Sequence, residues 1–190
     1  MGTQNDTDKH SQKRTLKTKG LVIVNTGEGK GKTTAALGLA LRAWGHGMRV
    51  LIIQFLKHQN SNFGETRAAG KIGIRMVPVG DGFTWTSRDM DETMACNRQG
   101  WERAQEYIVG GEYDIIILDE FTYLLHFGWL DVNQVIGWLR ENKPPMLHLV
   151  ITGRDAPAEL VDYADLVSEI KAIKHPYDEQ GIKAQKGVEF

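Results

Sequence analysis

The sequence predicts an α/β domain with a mainly parallel central sheet flanked by helices on both faces. Three observations carry that prediction. From Leu21 onward, short apolar β-rich runs alternate with longer helical patterns, the rhythm of successive βαβ units. Most of the runs are continuously apolar, as strands covered on both faces must be. The first run also passes through a glycine loop straight into an Ala- and Leu-rich helix.

Taken in order, residues 1–19 are rich in Lys, Thr, Asp, Asn and Gln with almost no apolar side chains, so nothing there offsets the entropy of ordering. They read as a flexible arm, and residues 20–190 as a single domain. The expected strands are 21–25, 49–55, 74–79, 114–119, 147–152 and 166–173. Between them the helical patterns fall at 32–44, 91–109, 131–141 and 157–164. Gly45 and the pair Gly110-Gly111 stop two of these helices, Asp131 caps the third, and Pro157 suits the first turn of the last.

Composition narrows the function. A chain of 190 residues buries on the order of 70% of its unfolded surface, enough for a self-sufficient core. With 23 Lys plus Arg against 24 Asp plus Glu the net charge is −1, which argues against a nucleic-acid partner and leaves any anion site to local structure. The single cysteine, Cys96, excludes an intrachain disulfide framework and fits a reduced, cytoplasmic setting. No stretch approaches the roughly 20 apolar residues of a membrane span, and the six histidines show no metal-ligand spacing.

The strongest local signal is Gly27-Glu28-Gly29-Lys30-Gly31-Lys32-Thr33-Thr34, set between an apolar strand and a helix. Glycines let backbone N–H groups converge on phosphate oxygens, and the helix start adds unpaired N–H groups and a positive dipole end. Lys32 supplies a mobile cation and Thr33 a hydroxyl for Mg²⁺. This is a P-loop for ATP, with one departure. The usual frame places its first glycine at the position of Thr26, so a loop opening on Gly27 is one residue tighter, and ordinary γ-phosphoryl transfer does not follow from it.

Other anchors lie at strand ends. Residues 115–118 end in Asp119 and Glu120, and an apolar strand closing in carboxylates beside a P-loop sets an acidic group against the loop's metal. Adjacent residues face opposite ways, so the two carboxylates have separate tasks, with either one open as the metal contact. Arg154, in Thr152-Gly153-Arg154, stands at the same sheet edge and could grip phosphate, or pair with Asp155. Gln54 and Lys57 end the second strand and could face the nucleotide or merely cap it. Phe83 and Trp85, two apart, would project to one side of an extended segment; on composition alone a core cluster is the simpler role for them.

Together with the terminal run Lys183-Ala184-Gln185-Lys186-Gly187-Val188-Glu189-Phe190, these motifs resemble the P-loop, RecA-like family of ATP:corrinoid adenosyltransferases in consistent order from Leu21 to Phe190. The resemblance departs at His58, where glycine is expected after Lys57. It implies a transferase that moves the 5′-deoxyadenosyl group of ATP to the Co(I) of cobalamin or a precursor, with triphosphate leaving. It further implies that the loop residues Gly27 to Thr34, with Gln54, Lys57 and Arg154, bind ATP, and that Thr33, Asp119 and Glu120 attend Mg²⁺ or Mn²⁺. Phe83 and Trp85 would cover the lower face of the corrin and displace its axial ligand, which reverses the core reading. Lys32, Phe83, Trp85 and Glu120 would be the catalytic set. A reductase or flavodoxin-like electron donor for Co(II), a homodimer, and an arm that folds over the corrinoid are also implied. Two alternatives remain: a RecA-like ATPase cutting at the γ-phosphate, and a non-catalytic ATP-dependent regulatory module.

Overall fold

In the computed structural model, which describes residues 18–58, 63–80 and 90–188, the apolar runs assemble into a six-stranded sheet. The elements follow as β1 (Val22–Thr26), α1 (Lys32–Gly45), β2 (Val50–His58), α2 (Gly64–Lys71), β3 (Arg75–Gly80), α3 (Met90–Val109) and β4 (Ile115–Asp119). Then come α4 (Thr122–His126), α5 (Val132–Asn142), β5 (His148–Thr152), α6 (Ala158–Tyr163), β6 (Leu166–Glu169) and α7 (Pro176–Gln180). The strand order is β3-β2-β4-β5-β1-β6 and every pairing is parallel.

The two-residue pleat sorts the strand side chains into two cores. Ile23, Val50, Ile52, Ile115, Ile117 and Val150 pack with α1 and α2 on one face. Val24, Leu51, Ile53, Ile116, Leu118 and Ile151 pack with Trp101, Ala104 and Ile108 of α3, and with residues of α4 to α6, on the other. Ala36, Ala40 and Ala43 recur at helical spacing on the buried side of α1, so the helix lies close over the sheet. Each fully buried Ile or Leu in β2, β4 and β5 contributes roughly 1.5–3 kcal/mol, which makes these central strands the rigid part of the molecule.

Three short helices escape the sequence patterns. Helix α2 holds one buried residue, Ala69, while α4 and α7 run five residues each, too short for a period to register. The last strand is also shorter than the expected 166–173. Its register with β1 ends at the pair Thr26 and Glu169, where β1 turns into the glycine loop and leaves the strand direction. As the edge strand, β6 is mostly exposed, unlike the doubly covered strands. Parallel pairing brings the carboxyl ends of all strands to one edge, where open α/β sheets take their ligands.

Candidate functional site

At that edge β1 hands over to the loop at Thr26, whose carbonyl accepts the Ile170 N–H at 2.8 Å. The loop then lies against the chain leaving β6. Gly29 donates its N–H to the Ile170 carbonyl at 2.7 Å. A Cβ on Gly27 would stand 2.5 Å from the Ile170 oxygen, and one on Gly29 2.7 Å from the Lys171 carbonyl. These two glycines are thus required by a backbone neighbour that the loop sequence does not reveal. Gly31 differs: it meets nothing, and its φ of +114° at the head of α1 is what demands glycine.

Lys32 is buried, and its Nζ donates to the carbonyls of Gly27 and Gly29, 2.7 Å each. Burial lowers its pKa, with the charges of Glu120 and Glu28 pulling the other way. Glu28, Lys30 and Thr34 are exposed on the loop, and Thr33 is half-buried. Arg154 pairs through Nη1 with Glu28 Oε2 at 3.0 Å rather than with Asp155. Asp155 lies 3.9 Å from His126 Nε2.

Asp119 is the hub. It faces the α1 side of the sheet, like Ile115 and Ile117, and is fully buried. Its Oδ1 accepts the hydroxyls of Thr33 at 2.7 Å and Thr152 at 2.8 Å. Its Oδ2 lies 3.5 Å from Gln54 Nε2 and 3.6 Å from Lys57 Nζ. Lys57 also reaches Glu65 Oε1 at 3.4 Å and stands over the Phe63 ring, 4.9 Å from its centre. One carboxylate therefore ties the phosphate loop, β2 and β5 together.

Glu120 is placed differently. Its backbone is left-handed, φ +62°, and its N–H donates to Thr152 Oγ1 at 2.9 Å. Its Oε2 is buried without a hydrogen-bond partner. Burial, and then the neighbouring Asp119 charge, push the carboxyl up from its ordinary 4.5 to about 6, against the pull of Lys32, Lys57 and Arg154.

The structure thus gathers Lys32, Thr33, Gln54, Lys57, Asp119 and Glu120 into one cluster, with Glu28 and Arg154 at its rim. The Phe83 and Trp85 segment, residues 1–17 of the arm and the last two residues lie outside the described residues. Sequence reasoning missed Thr152 and Glu65. The first had a signal, a hydroxyl closing a buried strand; the second had none, because α2 has no clear pattern. Lys32, Lys57 and Arg154, with Lys30 on the loop itself, are cations that suit a polyanion. The partnerless buried oxygen of Glu120, together with the Thr33 hydroxyl held by the adjacent Asp119, supplies the kind of oxygen donors that fit a hard divalent cation.

A parallel sheet with a glycine loop between β1 and α1, and a buried carboxylate bonded to the loop's threonine, defines a P-loop nucleotide-binding protein. Residues 18–190 match the family model described as ATP:corrinoid adenosyltransferase BtuR/CobO/CobP. The chain belongs to that family. It is similar to a corrinoid adenosyltransferase of a Sinorhizobium species, 43% identical over 175 residues that span 90% of this chain and 81% of the relative. The corrinoid adenosyltransferase of Escherichia coli strain K12 is 37% identical over 172 residues, 90% of this chain and 86% of that one. That of Pseudomonas aeruginosa is 35% identical over 175 residues, 90% and 84%. Among the described residues no helix is long and apolar enough to cross a membrane.

Proposed function

We propose that this protein transfers the 5′-deoxyadenosyl group of ATP to the Co(I) of a corrinoid and releases triphosphate, in the formation of adenosylcobalamin. Membership of the family over the whole folded domain is the observation that carries this reading. The site chemistry supports it. In an in-line attack of cobalt on C5′, negative charge grows on the departing triphosphate, and no proton has to be abstracted. Such a reaction needs a grip on the leaving group more than a base. Lys32 and the loop N–H groups are suited to that grip, and Lys57 and Arg154 stand close enough to add to it.

Binding would exchange contacts. Lys32 would leave the Gly27 and Gly29 carbonyls for phosphate oxygens, and Arg154 would leave Glu28. Thr33 and Glu120, with Asp119 behind them, would hold Mg²⁺, which neutralises triphosphate charge when bound. Phe83 and Trp85 are proposed to cover the lower corrin face, where an apolar pair excludes water and offers cobalt no donor atom. A reductase or flavodoxin-like protein would supply the electron that makes Co(I). Homodimer formation belongs to the same reading. It is supported by the exposed apolar Leu166, Ile173, Tyr177 and Val188 on and beyond the edge strand.

The decisive experiment incubates the protein with ATP, Mg²⁺ and chemically reduced cobalamin and identifies both products. Triphosphate with a light-sensitive adenosylated corrinoid is expected. ADP, phosphate and unchanged corrinoid would instead establish a γ-phosphate ATPase, and ATP binding without turnover a regulatory module.

A further inference from the structure

Strand β2 ends in a kink. Leu56 has φ +59°, a left-handed backbone that costs a non-glycine residue roughly 1–2 kcal/mol. The register between β2 and β3 shifts here, between Gln54 and His58. The kink breaks the alternation of side chains. Val50 and Ile52 face α1, Leu51, Ile53 and Phe55 face α3, and Gln54 reaches Asp119 on the α1 side. Regular pleating would send Leu56 to the α1 side and Lys57 into the α3 core. Instead Phe55 and Leu56 both pack in the α3 core, and Lys57 comes out beside Gln54 at Asp119 Oδ2.

Two neighbours wedge the kink. Asn97 of α3 is wholly buried; its Oδ1 accepts the Leu56 N–H at 3.3 Å and its Nδ2 donates to the Thr93 carbonyl at 2.8 Å. In the sheet, Gly80 at the end of β3 lies so near that a Cβ on it would stand 2.6 Å from the Leu56 nitrogen. Helix α3 can approach because Gly100, next on the same face, leaves room for Val79; a Cβ there would meet its Cγ2 at 2.8 Å.

We propose that Asn97 is a positioning residue for the transfer reaction: by holding Leu56 in its left-handed conformation it turns Lys57 out of the α3 core and onto Asp119 beside the phosphate loop. Asn97 touches no substrate and acts through Lys57. The inference rests on the proposed part of Lys57 in binding ATP.

The test is a double-mutant cycle on the full chain, reading the dissociation constant of ATP with Mg²⁺ by calorimetry and kcat and KM for adenosylation, with urea unfolding to confirm that each variant is folded. Lys57→Ala is expected to weaken ATP binding roughly tenfold, the size of one charge-assisted contact. Asn97→Ala should weaken it by a similar factor, and the double variant should be no weaker than Lys57→Ala alone. Gly80→Ala, whose Cβ would press on the Leu56 backbone, should give the same loss and the same non-additivity. Losses that multiply in both cycles, or unchanged ATP binding in Asn97→Ala and Gly80→Ala when Lys57→Ala loses it, would overturn the inference. Unchanged ATP binding in Lys57→Ala would overturn the assignment of Lys57 to the nucleotide site, a failure that the single variant reports by itself.

Discussion

Glu120→Gln should make the ligand-free protein more stable at neutral pH relative to wild type than at acid pH. The carboxyl is raised from 4.5 to about 6, chiefly by burial and then by Asp119. At roughly 1.4 kcal/mol per pH unit, that shift amounts to about 2 kcal/mol. The folded state holds this proton more tightly than the unfolded chain. Below pH 4.5 both states are protonated and the penalty is absent; as pH rises through about 6 stability is lost, and above that the full ~2 kcal/mol is missing. Glutamine keeps the shape and removes the charge, so fixed effects of the exchange cancel when two pH values are compared. The assay is urea unfolding of both proteins at about pH 4 and about pH 7.5, with stability extrapolated to water. The gap between variant and wild type should move by ~2 kcal/mol in the variant's favour on going to the higher pH. An equal gap at both would refute the reasoning. Saturating ATP with Mg²⁺ should then reverse the order, because only the wild-type carboxylate is suited to the proposed cation.

Two further outcomes are expected, the first from the same cluster and the second from the proposed role of Phe83 and Trp85. Asp119→Ala leaves two hydroxyls, an amide and an ammonium without their shared acceptor, and should cost about 3 kcal/mol in chemical denaturation together with ATP binding. Replacing Phe83 and Trp85 together by Ala should spare ATP binding and reaction with preformed Co(I), while abolishing turnover that begins from Co(II) and a mild protein reductant; equal loss in both assays would mark the pair as structural.

Much of this architecture is legible in the sequence because it is local. The run Ile115-Ile116-Ile117-Leu118 can only be a doubly buried strand, and the observed β4 spans those residues and Asp119. Lys32, Thr33 and Asp119 stand out from loop chemistry and a strand end; in the fold Lys32 turns back onto the loop carbonyls and Thr33 bonds to Asp119. What stayed hidden depends on neighbours remote in sequence. Gly27 and Gly29 look like phosphate glycines, yet their immediate constraint is the chain at Ile170 and Lys171, more than 140 residues on. Arg154 finds Glu28 and not the adjacent Asp155, since a left-handed Asp155 turns that side chain toward His126. Helix α2, which brings Glu65 to Lys57, carries too little apolar periodicity to announce itself.

The three non-glycine residues found with positive φ among the described residues are Leu56, Glu120 and Asp155, and all lie at the carboxyl edge of the sheet, in or just beyond β2, β4 and β5. A regular parallel strand delivers alternate side chains to opposite faces, so it cannot aim consecutive polar groups at one ligand. Leu56 and Glu120 each break that alternation once. Leu56 brings Lys57 to the side of Gln54. At Glu120 the break sets the carboxylate where it feels Lys32, Lys57 and Arg154 instead of following Leu118 into the α3 core. The cost, roughly 1–2 kcal/mol at each, is carried by the central strands, whose side chains are almost wholly buried. Relaxing the joint at Leu56 or Glu120 would gain local stability and scatter the groups it aims, so these two residues that strain the edge are also ones that assemble the site.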